Sequence, residues 1–262
     1  MTFPTSRRPA LTRLLALAIG ASLGLAVFAP AQAADDVLRF GVGLYQPDKE
    51  KNDATYRPLA EHLRQLSRPV KLYTVDTWEG LAKSLANGET DIALMGPWGY
   101  VLANHVASAQ AVASILYDGK PEYFAIMVTH PESGIKNIAD LKGRTFAFGD
   151  KGSTSGYLIP YHHFQKNGID PDTYLGRVLH TRHQAIEMQV TRGEIDAGAD
   201  YNRNRDAMIS EGLIKAADSV VFWTSDPLPN DAVAVRADLA KDNAFYRPIR
   251  DAGLATGKLA TQ

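Results

Sequence analysis

The chain has 262 residues, with 28 lysine and arginine residues against 29 aspartate and glutamate residues, and a formal net charge of −1 at pH 7. The absence of cysteine excludes disulfides, thiolate metal sites and thiol catalysis. The near-neutral charge argues against a dedicated nucleic-acid binder, which would carry a basic face, and the length fits one large domain or two of ordinary size.

The first 33 residues have the pattern of a secretory signal peptide. Three arginines precede an apolar segment at 14–28, and Ala31-Gln32-Ala33 has the small residues of a cleavage site. The apolar run of 15 residues is shorter than the ~20 that span a bilayer, which disfavours the alternative of an uncleaved membrane anchor. We therefore expect residues 1–33 to be removed and the remainder to be exported, most simply to a bacterial periplasm.

The exported chain alternates predicted strands and helices. Its first part predicts strands at 37–42, 70–75 and 91–95 and helices at 56–66, 78–86 and 100–107. Asp76-Thr77 supplies N-cap chemistry for the second of these helices, and Asn87-Gly88 ends it. This alternation implies right-handed βαβ units and a mostly parallel sheet.

The second part repeats this alternation. Strands are predicted at 111–116, 124–129, 145–148, 220–223 and 232–235, a turn and strand at 193–199, and helical segments at 138–143, after 149–154 and at 185–190. The stretches 117–123 and 223–231, rich in Pro, Gly and Asp, have the composition of connections between two halves. If the chain crosses twice between two α/β lobes, lobe I is 34–118 plus 229–262 and lobe II is 119–228. Ligands of such sheets bind at the carboxyl ends of strands, near helix N-termini.

The segment 149–156 is a candidate anion site. Ser153, Thr154 and Ser155 place hydroxyls and backbone N–H groups between a strand and a helix, whose dipole adds partial positive charge. The segment is not a Walker loop, since no Gly-Lys-Ser/Thr ends it, and Thr154 stands where a nucleophile elbow needs Ser. The alternative is a plain Ser/Thr helix cap, and Pro160 is expected to kink the first turns of the helix that follows.

His183 is a second candidate, because a histidine just before a helical run can donate to an anion. The alternative is a core or surface histidine. The spacing of His180 and His183 would also suit two metal ligands, but no carboxylate stands at helical spacing to support them.

Trp78 begins a helix directly after a strand, and Tyr123 lies in the first connection, so both face the expected cleft, although aromatics are more often core residues. Asp231 lies in the second connection. An aspartate beside an anion makes sense only if the ligand carries a proton to donate, since like charges repel; otherwise it is a turn residue. Tyr45 and Arg203 are further candidates for selectivity.

Three segments in this order carry a family resemblance. They are Ser153-Thr154-Ser155-Gly156-Tyr157-Leu158-Ile159-Pro160, then His183-Gln184-Ala185 with Gly193-Glu194-Ile195-Asp196-Ala197, then Trp223-Thr224-Ser225-Asp226-Pro227-Leu228-Pro229-Asn230-Asp231. With them, the chain from about Leu38 to Arg236 resembles the periplasmic substrate-binding proteins of ABC importers for phosphonate, phosphite and related phosphorus oxyanions.

The resemblance implies a type II periplasmic binding fold, with two α/β lobes joined by two crossover strands. It also implies a binding protein rather than an enzyme, with no cofactor, a permease of the inner membrane as partner, and action as a monomer in the periplasm.

The resemblance further implies roles for individual residues. Four residues match the family's ligands to the phosphorus oxygens: Ser153, Thr154, Ser155 and His183. Trp78 and Tyr123 match aromatics that line the pocket, and Asp231 matches an acid that accepts a bond from a protonated ligand oxygen. Arg203 stands near the place of the acid that meets the ammonium group in members that bind aminoalkyl phosphonates, which disfavours a cationic ligand tail.

The favoured function is therefore capture of phosphite, hypophosphite or methylphosphonate in a cleft between the lobes. Another oxyanion, such as selenate, a sulfonate or phosphate, is an alternative of the same class. A ligand-sensing subunit of a sensor kinase would share the fold and differ in its partner. A secreted hydrolase is disfavoured, because no paired nucleophile and base is apparent in the sequence.

Export predicts a defined mature chain. The intact mass of protein recovered from the periplasm should match a chain that starts at Ala34, because Ala31-Gln32-Ala33 fits signal-peptidase cleavage. A full-length mass together with retention in the cytoplasm would contradict this prediction.

Overall fold

The computed structural model describes residues 37–43, 45–46, 48–66, 68–242 and 247–248. The predicted signal peptide, residues 1–33, lies outside the described residues. Within the described ranges, none of the helices combines the length and the apolar character needed to span a bilayer.

Strands and helices alternate through most of the described chain. The strands are β1 Leu38–Gly43, β2 Val70–Val75, β3 Ile92–Met95, β4 Gln110–Ser114, β5 Glu122–Tyr123, β6 Ala125–Thr129, β7 Thr145–Phe148, β8 Arg177–His180, β9 Ala197–Tyr201, β10 Val220–Thr224, β11 Leu228–Pro229 and β12 Ala232–Val235. The helices are α1 Lys49–Leu66, α2 Trp78–Ala86, α3 Pro97–Ala107, α4 Ile159–Lys166, α5 Pro171–Tyr174, α6 His183–Thr191 and α7 Asn202–Ser210. Short 3-10 turns lie at Pro131–Ser133, Ile138–Leu141, Ala216–Asp218 and Leu239–Lys241.

The first sheet has the strand order β2-β1-β3-β12-β4. Strand β1 pairs in parallel with β2 and β3, whereas β12 pairs antiparallel with β3 and β4. Its core joins side chains from the central strands, among them Phe40, Leu94 and Val233, and Leu59 and Leu63 of α1 pack against them. The near-continuous apolar strands follow from burial on both faces of the sheet.

The second sheet has the order β10-β6-β9-β7-β8. Strand β7 pairs in parallel with β8 and β9, and β6 pairs antiparallel with β9 and β10. Phe146 and Phe148 of β7 pack with Phe164 of α4, with ring centroids 5.5 and 5.9 Å from that of Phe164. The carboxyl end of β7 therefore rests on a packed aromatic core.

The expectation of mostly parallel sheets is wrong, because each sheet has two parallel and two antiparallel pairings. The antiparallel pairings involve β12 and β6, the strands that follow the two connections between the sheets. Neither enters its sheet through a helical βαβ crossover, so the right-handed parallel rule does not apply to it.

The two connections between the sheets pair with each other. Strands β5 and β11 run antiparallel, with Leu228 opposite Tyr123. The Asn230 side chain donates to the carbonyls of Ile115, at 2.9 Å, and Lys120, at 2.7 Å, and its backbone N–H donates to Pro121. One buried asparagine thus holds both crossover segments together.

The predicted ends of α2 are confirmed. The Thr77 hydroxyl accepts a hydrogen bond from Gly80 N at 3.0 Å, and Gly88 follows the helix with a positive φ of 68°. Helix α1 begins at Lys49, earlier than the apolar spacing predicts, because Asp48 caps Lys51 N at 2.8 Å.

Candidate functional site

The polar loop after β7 leads into a π turn, Thr154–Leu158, before α4 begins. Pro160 has no N–H to donate to the Gly156 carbonyl, so that carbonyl accepts from Gly149 N at 2.7 Å. The distortion expected at Pro160 takes the form of this π turn, which directly precedes α4. A Cβ added at Gly149 would lie 3.0 Å from Gly156 Cα, so two glycines allow the close approach.

The three loop hydroxyls are buried and differ in their contacts. Ser153 Oγ accepts from Gly156 N at 3.0 Å and lies 3.3 Å from His183 Nε2. Thr154 Oγ1 accepts from Trp98 N, at the start of α3, at 2.8 Å. The loop of the second sheet thus contacts a helix of the first sheet through a hydroxyl that still has its proton to donate.

A second bond supports this contact between the sheets. The Trp98 indole donates from Nε1 to the Lys151 carbonyl at 3.2 Å. Both bonds hold the loop against the N-terminus of α3, so the hydroxyl cluster lies at the junction of the two halves.

His183 is the first residue of α6 and lies half-buried between the loop and β9, with 21% of its side chain exposed. Its Nε2 faces Ser153, its Nδ1 lies 2.8 Å from Asp200 Oδ1, and the Tyr201 ring packs edge-on with centroids 4.9 Å apart. Burial lowers the pKa of His183 to about 4, against the opposing effect of Glu187. The imidazole is therefore neutral at pH 7.

Asp231 lies between β11 and β12 and is buried. The Tyr117 hydroxyl donates to Asp231 Oδ2 at 2.6 Å. Burial raises the pKa of Asp231, while the Tyr117 hydrogen bond and the Arg203 charge oppose that rise. The carboxyl group is thus closer to protonation than an exposed aspartate.

The Thr154 hydroxyl and Asp231 both lie close to Gly96. A Cβ added at Gly96 would lie 3.4 Å from Thr154 Oγ1 and 3.6 Å from Asp231 Oδ1. Tyr123 is buried here as well; burial raises its pKa, and interactions with the hydroxyls of Thr154 and Ser155 oppose that rise. Donors from one sheet and an acid from the crossover therefore flank the same space.

Trp78 and Tyr45 form an aromatic wall on the first sheet. The Trp78 ring lies over Gly43, where an added Cβ would meet Cζ3 at 2.3 Å, and its centroid is 4.8 Å from that of Tyr45. On its other side, a Cβ at Gly152 would lie 2.4 Å from Trp78 Cβ. Trp78 thus lies between the first sheet and the loop.

The Tyr45 hydroxyl is buried and has no hydrogen-bond partner among the described residues. Burial raises the pKa of Tyr45, and the Asp231 charge raises it further, so the phenol is a neutral donor facing that carboxyl group. Asn52 positions Tyr45: its Oδ1 accepts from Tyr45 N at 3.0 Å and from Gln46 N at 3.2 Å, and its Nδ2 donates to Gly43 O.

Arg203 lies at the crossovers rather than on the hydroxyl loop. Its guanidinium carbon is 3.8 Å from the Tyr117 ring centroid and 5.0 Å from that of Tyr123, and Nη1 donates to Asn230 Oδ1 at 2.6 Å. The predicted selectivity residue therefore contacts two tyrosines and the crossover asparagine, and its charge opposes the rise in the pKa of Asp231.

Several residues of this site escape the sequence reasoning. Tyr117, Asp200, Glu187 and Asn52 each contact or position a predicted residue. Of these, only Tyr117 could have been proposed from the sequence, because it is the first residue of the predicted connection 117–123.

The described residues hold no group of three or more side chains that could bind a metal ion. His180 Nδ1 lies 3.0 Å from the Gly149 carbonyl, and its ring stacks on Phe148, so it supports the loop. The alternative of a metal pair at His180 and His183 has no support in the described chain.

Comparisons with known proteins agree on one family. Residues 44–261 match the model of a family described as ABC transporter, phosphonate, periplasmic substrate-binding protein. The chain is similar to the phosphonates-binding periplasmic protein of Escherichia coli K12, with 25% identity over 82% of this chain and 66% of that protein. It is also similar to the phosphate-import protein PhnD of Mycolicibacterium smegmatis, with 25% identity over 72% of this chain and 63% of that protein.

The fold has solved counterparts. The structure of PhnD1 from Prochlorococcus marinus in complex with methylphosphonate matches with a TM-score of 0.72 and 21% identity, over 82% of this chain and 83% of that chain. The described sheets and helices agree with its fold. The chain spans 66% and 63% of the length of the two curated relatives.

The Tyr117–Asp231 bond predicts a measurable change in acidity. In Tyr117→Phe the Asp231 carboxylate loses a donor that stabilises its charged form, so its pKa should rise further. Carboxyl-carbon NMR titration of Asp231 measures this shift. Tyr174→Phe, which removes a hydroxyl bonded to Ala139 O, is the control; an unchanged Asp231 titration in Tyr117→Phe would contradict the assignment.

Proposed function

Because the chain belongs to the family of periplasmic phosphonate-binding proteins of ABC transporters, we propose that it captures a small phosphorus oxyanion between its lobes and presents it to a membrane permease. The proposed ligands are phosphite, hypophosphite and methylphosphonate. Family membership places the chain among substrate-binding proteins rather than enzymes, in agreement with the expectation from the sequence.

The observation that carries the proposal is the meeting of donors and acid beside Gly96. Thr154 Oγ1 and Asp231 Oδ1 flank that glycine, and the hydroxyls of Ser155 and Tyr123 lie next to Thr154. Buried hydroxyl donors bind an anion with charge-assisted hydrogen bonds. Ser153 extends the donor set on the loop side, and His183 Nε2 lies 3.3 Å from its hydroxyl oxygen.

Asp231 favours a ligand oxyanion that shares a proton with it. A fully ionised tetrahedral anion would be repelled by a buried carboxylate. Because burial raises the pKa of Asp231, a proton on either the carboxyl group or the ligand allows a hydrogen bond between them.

The aromatic wall favours a substituent on phosphorus that needs no hydrogen bond. Trp78 and Tyr45 present ring faces and edges, with the Tyr45 hydroxyl as one polar group. A hydrogen or methyl group on phosphorus packs against rings without cost, whereas a fourth charged oxygen buried there lacks enough donors.

Capture between the lobes agrees with the contacts of Trp98. Its bonds to Thr154 and Lys151 join the two halves next to the site, while β5 and β11 form the connection on which the halves can turn. The methylphosphonate bound in the Prochlorococcus marinus structure supports that ligand here, and the name of the Mycolicibacterium smegmatis relative makes phosphate the principal rival.

The hydroxyl cradle predicts a loss of affinity on mutation. Thr154→Val and His183→Ala each remove a polar partner of a desolvated anion, at a cost of ~1.5–3 kcal/mol, or about one to two decades of affinity. Calorimetric titration with methylphosphonate measures the loss, and Thr173→Val, at an exposed threonine, is the matched control. Unchanged binding in both variants would place the site elsewhere.

The aromatic wall and Arg203 predict an order of ligand affinities, measured on one protein sample. Phosphite or methylphosphonate should bind more than about a hundredfold more tightly than phosphate, equivalent to ~2.7 kcal/mol, because the aromatic wall cannot satisfy a fourth charged oxygen. Aminoethylphosphonate should bind weakly, since Arg203 repels its ammonium group. A competition series measures the order; phosphate or aminoethylphosphonate binding as tightly as phosphite would overturn it.

A further inference from the structure

A buried acidic cluster lies behind His183. Asp200 Oδ1 lies 2.8 Å from His183 Nδ1, and Glu187 contacts Asp200 from the same helix as His183. Both acids have no exposed surface. Glu187 Oε2 accepts from Ser219 Oγ at 2.8 Å, and Asp200 Oδ2 accepts from Asn204 Nδ2 at 2.8 Å.

The two acids can be satisfied only if they share a proton. Glu187 Oε1, Asp200 Oδ1 and His183 Nδ1 are buried and complete no hydrogen bond within the described chain, although Nδ1 and Asp200 Oδ1 lie 2.8 Å apart. Two ionised carboxylates in contact repel each other, so one carboxyl group is neutral. Burial and the Asp200 charge raise the pKa of Glu187 to about 9, whereas burial raises that of Asp200 to about 7, so Glu187 is the protonated partner and Asp200 is the acid that ionises first.

This arrangement sets the tautomer of the neutral imidazole. Nδ1 lies 2.8 Å from Asp200 Oδ1, so the carboxylate stabilises the tautomer with the ring hydrogen on Nδ1, in which Nε2 presents a lone pair toward Ser153. A lone pair on the site side repels an arriving anion, whereas an N–H group there would bind it.

Building on the proposed function, we propose that His183 takes up a proton at Nε2 when the oxyanion binds, with Asp200 as its counter-ion and Glu187 as the neutral acid that keeps Asp200 ionised. The proton comes from solvent and remains on the imidazole while the anion is bound. Asp200 and Glu187 are thus positioning residues, which act on the ligand through His183.

The charges around the imidazole are accounted for within the described chain. Asp200 faces it from β9, Glu187 lies one turn further along α6, and Arg205 of α7 acts on both acids while donating to Ser219. The loop side contributes the uncharged Ser153, and Tyr201, a neutral phenol whose pKa burial raises, packs edge-on against the ring. The bound anion therefore adds the negative charge that stabilises the protonated form of His183.

The experiment measures protons directly. The intact mature protein is mixed with hypophosphite, a monoanion throughout the neutral range, in weakly buffered solution at pH 7, and an indicator dye reports the proton change. We expect uptake of about one proton per ligand bound. By linkage, the affinity should then fall by up to about tenfold for each unit by which the pH is raised. Nitrogen-15 NMR of the histidine rings should show His183 changing from neutral to imidazolium.

Variants separate this role from a structural one. Asp200→Asn removes the counter-ion and should abolish proton uptake, whereas Glu187→Gln preserves a neutral donor to Asp200 and should retain it. Glu194→Gln, at an exposed acid just beyond α6, is the matched control. Wild-type binding without proton uptake, undiminished uptake in Asp200→Asn, or its loss in Glu187→Gln would overturn the inference.

Failure of the proposed function gives a different result. If calorimetry detects no binding of hypophosphite, phosphite or methylphosphonate, the proposed function itself is wrong. Where methylphosphonate alone binds, the proton measurement uses it, after subtraction of the ligand's own ionisation followed by phosphorus-31 NMR. Binding of either ligand with no net proton uptake leaves the proposed function standing and contradicts only the role of His183.

Discussion

The hydrogen bond from Trp98 N to Thr154 Oγ1 joins the two sheets at the place where the polar groups converge. It requires that the loop after β7 turn sharply, which Gly149 and Gly156 allow and Pro160 enforces. It also leaves the Thr154 hydroxyl proton available to a ligand. The loop is therefore both a contact between the two sheets and the centre of the candidate site.

The crossovers supply the acidic side of this site. Strands β5 and β11 pair, and Asn230 ties the carbonyls of one connection to the other. Tyr117 and Asp231, one from each connection, are bonded across this junction. The acid thus lies at the junction of the two connections, and its environment depends on both connections being in place.

Burial governs the chemistry of the titratable groups here. Desolvation lowers the pKa of His183 and raises the pKa of Asp231 and Glu187, in each case favouring the neutral form. A site built from neutral donors suits a small anion, because the ligand then supplies the charge. The position of that charge determines which neighbouring group takes up a proton. The proposed uptake of a proton by His183 is one consequence of that principle.

The sequence by itself determined what depends on near neighbours in the chain. The cap at Thr77, the stop at Gly88, the strands Thr145–Phe148 and Ala232–Val235 and the hydroxyl loop follow from local propensity, turn chemistry and apolar spacing. Helix α7 and strand β8 went unpredicted because their residues lack that spacing: most of their side chains are exposed or half-buried.

Only the tertiary structure decided which distant residues meet. Tyr117 and Asp231 are 114 positions apart and Trp98 and Thr154 are 56 apart, so no local pattern records their contacts. The same holds for the mixed strand directions, which arise because β6 and β12 enter their sheets from the connections. A residue's type and spacing determine its local conformation, whereas burial and charge at a site depend on what the rest of the chain packs around it.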